Sequence, residues 1–141
     1  MGTASTVHYA TTLDGVKIAY GVMGAGEPLL YARCPAGLPF TEVVPTPELD
    51  SWFGKLARHF RLITFDFRGG GLSERGDREL TFDTLALDML AVLDDLGLAS
   101  AHVQTELMSS AAALHLASKH PDRVRRLVMW HPMVRALAAQ R

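Results

Sequence analysis

The sequence has one cysteine, Cys34, among its 141 residues. No disulfide can form within the chain, which suits a reducing cytoplasm, the expected location. Cys34 itself reads first as a small buried apolar side chain and only second as a reactive thiol. No apolar run approaches the roughly 20 residues that a spanning helix needs, so no membrane partner is expected. The N-terminus has neither the basic nor the apolar region of a secretory leader. Charge of one sign is lacking too. The 14 Lys and Arg residues balance 15 Asp and Glu, for a formal net charge of -1, and both signs are mixed along the chain. That balance removes the electrostatic case for a nucleic-acid partner. No repeat, low-complexity tract or shift in composition divides the chain. Residues 1–141 are therefore read as a single domain, whose 48% hydrophobic content can fill a core.

Apolar runs with strand character alternate with helical stripes, which points to an α/β architecture with a mostly parallel sheet. Val7–Thr11 and Val16–Val22 flank Asp14-Gly15, a strong hairpin signal. Gly24, Gly26 and Pro28 precede a short apolar strand, Leu29–Ala32, and a Pro- and Gly-rich stretch runs from Pro35 to Pro47. Thr46-Pro47-Glu48 has the form of a helix start, with Leu49, Trp52, Phe53 and Leu56 on one face. Arg61–Asp66 is the next strand. Thr81 caps a helix whose stripe is Phe82, Leu85, Met89, Val92, Leu93 and Leu96, closed by Gly97. His102–Thr105 is a strand, Met108–His120 a helix, and Val124–Trp130 the last strand before His131-Pro132. The expected fold has about six strands, an N-terminal β-hairpin and about three helices.

The glycine-rich segment Asp66-Phe67-Arg68-Gly69-Gly70-Gly71-Leu72-Ser73 is not a phosphate cradle. No Gly-Lys-[Ser/Thr] follows it, and Glu74 stands where a dinucleotide fingerprint needs its third glycine. It fits the pattern D-x-R-G-x-G-x-S. The glycines permit a sharp reversal, and Asp66 and Arg68 can hold the loop by charge-assisted hydrogen bonds. Asp66, Arg68, Gly69, Gly71 and Ser73 are therefore assigned a structural role. His115 and His120, five apart, do not share a helix face, which argues against a metal pair. Neither a metal nor a cofactor is expected.

That eight-residue loop, together with His120-Pro121-Asp122-Arg123-Val124 and Arg126-Leu127-Val128, resembles the α/β-hydrolase superfamily. The resemblance runs from about Tyr9 to Trp130 and implies the N-terminal half of that fold, a truncated form of it. It also implies a nucleophile in a G-x-S-x-G turn between strand and helix. Counting forward through Ala101-His102-Val103-Gln104 puts the nucleophile position at Leu107. Counting back from Ala113-Leu114-His115-Leu116-Ala117 and His120-Pro121 gives the same residue. Leucine has no lone pair to attack with, and Thr105 and Ser109 replace the two glycines. Leu107 is expected to pack into a pocket or to sit in a relaxed turn. Ser109 and Ser110 read as caps or small packing residues rather than displaced nucleophiles.

The family's triad acid and histidine come from loops later than the nucleophile, and this sequence stops before those loops. Arg33-Cys34-Pro35-Ala36-Gly37-Leu38-Pro39 stands in the place of the oxyanion loop, where backbone N–H donors suffice. Arg33, Cys34, Ala36, Gly37, Leu38, Met108 and His131 are the pocket and oxyanion-loop candidates. Gly37-Leu38-Pro39-Phe40 resembles hydrolase-like modules of bacterial regulators and cyclases. The implied function is that of a non-catalytic pseudoenzyme, acting in binding, assembly or regulation. The alternative is a half-domain completed by a partner chain that brings the acid and histidine for ester or related acyl hydrolysis. Val124–Trp130 would be an exposed apolar edge, so a homodimer or a partner chain is expected there. A small apolar ligand is a further expected partner.

Overall fold

The computed structural model describes residues 6–35, 38–43, 52–75 and 79–133. The Asp14-Gly15 turn reverses the chain with Gly15 at φ 86°. It joins β1 (His8–Thr11) to β2 (Lys17–Met23) in an antiparallel pair, with His8 opposite Tyr20 and Thr11 opposite Lys17. β3 (Glu27–Ala32) follows, then a single helical turn, α1 (Phe40–Val43), and a short helix, α2 (Trp52–Ala57). The Thr46-Pro47-Glu48 helix start lies outside the described residues. β4 (Phe60–Phe65), α3 (Phe82–Asp95), β5 (Ala101–Glu106), α4 (Ser109–Lys119), a 3-10 turn at Pro121–Arg123 and β6 (Val124–Trp130) complete the described chain. The helices thus number four among the described residues, because α1 arises in the Pro- and Gly-rich stretch, where the sequence pattern predicts none.

The six strands form one sheet in the order β1-β2-β4-β3-β5-β6. β2 meets β4 antiparallel, while β4, β3, β5 and β6 run parallel. α3 is fixed at its start by a capping box. Thr81 Oγ1 accepts from the Thr84 N–H at 3.1 Å, and Thr84 Oγ1 accepts from the Thr81 N–H at 3.0 Å. Its buried residues Leu85, Met89, Val92 and Leu93 join Ile18, Leu30, Ile63, Val103, Ala112 and Leu116 in the main core.

The opposite face of the sheet is covered less. There α2 brings Phe53 and Leu56 onto Leu29, Tyr31 and Leu62. Parallel strands normally have both faces covered. Past α2, however, the alternate residues of β5 and β6 line two open clefts that share Gln104 and Val128. Among the described residues β6 pairs only with β5, and it carries one bulge. Ala101 stands opposite Val124 but Val103 opposite Leu127, so Arg125 and Arg126 together face His102. Val128 and Trp130 are more than half exposed.

Candidate functional site

The turn from β5 into α4 is built on a left-handed residue. Leu107 has φ 53°, a conformation that an L side chain with a Cβ adopts at a cost of about 1–2 kcal/mol. Main-chain bonds impose it. The Leu107 N–H donates to the Trp130 carbonyl at 3.1 Å, and the Leu107 carbonyl accepts from the Met133 N–H at 3.2 Å. The side chain is 41% exposed and does not line either large cleft. The expectation of a pocket-filling or relaxed Leu107 is thereby corrected. The strain is retained, because the end of β6 holds the turn whatever side chain sits on it.

The small residues flanking Leu107 are fully committed. Ser109 Oγ lies 2.6 Å from the Ala32 carbonyl and 2.7 Å from the Glu106 carbonyl, and it accepts from the Glu106 N–H at 3.0 Å. Thr105 Oγ1 and Ser110 Oγ are 2.9 Å apart. All three residues are buried. They stitch α4 to β5 and β3, with no hydroxyl left pointing to solvent. Met108 is the N-cap of α4, has no side-chain cap bond, and is 37% exposed.

Past β3, Arg33 donates to the Leu38 carbonyl at 3.0 Å and lies 3.8 Å from Asp66. The Cys34 N–H donates to Glu106 Oε1 at 3.4 Å. Cys34 and Leu38 border a small void of about 10 Å³. Ala36 and Gly37 lie outside the described residues. His131, at φ 48°, places its ring 5.5 Å from that of Trp130. Neither Met108 nor His131 lines a cleft with Arg33.

The Asp66–Ser73 loop is a separate, buried assembly. Asp66 accepts from the N–H groups of Phe40 at 2.9 Å and Leu72 at 3.0 Å. Burial raises its carboxyl above the ordinary Asp range, and those two N–H groups and Arg33 act against the shift. Ser73 Oγ donates to the Asp66 carbonyl at 2.5 Å and accepts from the Ala19 N–H at 2.8 Å. Gly69 and Gly71 take φ 78° and 50°, as the reversal requires. Arg68, almost wholly buried, reaches away from Asp66. It pairs with Asp14 at 2.7 Å and with Asp88 at 2.7 Å, and the two carboxylates hold its guanidinium charged. Asp88 is fully buried on α3 and is not among the residues that the sequence singles out. The available signal was an acid lying three residues after Leu85 inside an apolar stripe.

The more apolar of the two clefts lies beside the Leu107 turn. Its volume is about 720 Å³, and Tyr31, Trp52, Phe53, Glu106 and Trp130 define its walls and one end. Tyr31 donates to Glu106 Oε2 at 3.3 Å and stacks edge-on against Phe53 at 5.2 Å. Burial and the Glu106 charge push the Tyr31 phenol up to about 12. Sequence reasoning passed over Glu106. The alternation of His102, Gln104 and Glu106 with Val103 and Thr105 was the signal that they share the second sheet face. Among the described residues no group of three His, Cys, Asp or Glu side chains is placed to hold a metal. No helix among them is long and apolar enough to cross a membrane.

The strand order, the strained turn after β5 and the loop after β4 define a class. The chain belongs to the α/β-hydrolase fold family, whose model matches residues 40–138. Among its relatives is RutD of Caulobacter segnis, proposed as a carbamate hydrolase. The two are 40% identical over 123 residues, covering 84% of this chain and 43% of the relative. A 2-hydroxymuconate semialdehyde hydrolase of a Pseudomonas species is 38% identical over 122 residues, covering 82% of this chain and 40% of the relative. A hydrolase from Pseudomonas aeruginosa superposes with a TM-score of 0.78 at 27% identity, over 92% of this chain and 47% of its own. The chain thus spans less than half the length of these relatives.

Proposed function

We propose that this chain is a non-catalytic α/β-hydrolase relative that acts through binding and assembly. The observation that carries the reading is Leu107. A hydrocarbon side chain occupies the left-handed strand-to-helix turn, where the family presents its nucleophile. The neighbouring hydroxyls of Thr105, Ser109 and Ser110 are bonded to one another or to main chain. The hydrolytic chemistry named for the relatives therefore has no attacking group at this turn. Assays with activated aryl esters and aryl carbamates test this. The expected result is no turnover above buffer. Turnover that co-purifies with the chain, and is lost when Glu106 is changed to Gln, would overturn it.

Assembly is assigned to the β6 edge. Among the described residues β6 has one partner strand, and Val128, Met129 and Trp130 leave it strongly apolar at its end. Two copies related by a two-fold axis would pair β6 antiparallel. Arg125 and Arg126 of one copy would then approach Met129 and Trp130 of the other, which separates like charges and sets cations beside an indole. Light scattering at micromolar concentration should give a dimer, and Met129→Lys a folded monomer. A monomer before any substitution sinks the assembly reading.

A second binding role is favoured by the cleft beside Leu107. Its volume and aromatic walls suit a small, largely apolar ligand.

A further inference from the structure

We draw no further inference here: the strongest candidate, the basic side-chain cluster of His102, Arg125 and Arg126 at the β5–β6 bulge, lines the sheet face past α2, and nothing in the structure shows what covers that face.

Discussion

The N–H of Leu107 donates to the carbonyl of Trp130 at 3.1 Å, so the turn after β5 is held by the last residue of β6. The Met133 N–H closes on the Leu107 carbonyl two residues past His131. A left-handed leucine survives because its neighbours over-determine it. Leu107→Asn should leave stability within about 0.5 kcal/mol, since Asn tolerates φ near +53°. Leu107→Val, branched at Cβ, should cost about 1–2 kcal/mol more. Urea unfolding of the three forms checks the order.

Arg68 joins three segments that are distant in sequence: the β1–β2 turn through Asp14, its own loop, and α3 through Asp88. Arg68→Ala leaves the fully buried Asp88 without a counter-charge. The expected loss is about 3–5 kcal/mol in denaturant unfolding. Arg68→Lys should recover only a fraction of it, because one ammonium cannot reproduce a guanidinium shared between two carboxylates.

Gly69 and Gly71 lie two residues apart, both with positive φ, yet substitution should separate them. A Cβ at Gly69 meets nothing within 4 Å, so Gly69→Ala costs only the left-handed penalty of about 1–2 kcal/mol. At Gly71 the new Cβ would run into the Asp66 carboxylate, which itself holds the Phe40 and Leu72 N–H groups. Gly71→Ala should cost more than Gly69→Ala by at least about 1 kcal/mol. Thermal melting of the two variants side by side decides it.

Glu27 sits at the start of β3 with Oε2 2.6 Å from His102 Nε2. The hydrogen bond and charge of His102 hold its carboxyl below the ordinary Glu value. The folded form therefore binds this proton less readily than the unfolded form. The contribution is present above the ordinary Glu value and is lost as pH falls through the lowered folded value. In a carbon-detected NMR titration, His102→Gln should raise the Glu27 midpoint toward the ordinary range. An unchanged midpoint would show that the pair does not persist in solution.

Much of this architecture is written in local pattern. The sequence predicts Val124–Trp130 with the bounds that β6 has, because Pro121 and His131-Pro132 punctuate both ends. Thr81 and Gly97 frame α3 for similar local reasons. What escaped depends on partners far along the chain. Phe40 begins a helix too short for periodicity, and its N–H bonds to Asp66, 26 residues away. Asp88 reads as a polar interruption until Arg68 arrives from another segment. Nothing in a leucine announces a positive φ. The cleft is equally non-local, since β3, α2, β5 and β6 each supply part of its wall.

The placement of β1 and β6 on opposite edges of the sheet has a mechanical consequence. β1 and β6 run in the same direction, because β1 and β4 are each antiparallel to β2 and β6 lies parallel to β4, so the described chain enters the sheet at one end and leaves it at the other. Tension between its ends would load the sheet obliquely, and the edge strands β1 and β6, each with one described neighbour, would give way before the inner ones. The edge that matters to the turn is β6. Its departure would break the bond that clasps Leu107, so a pull on one edge would be felt at the turn.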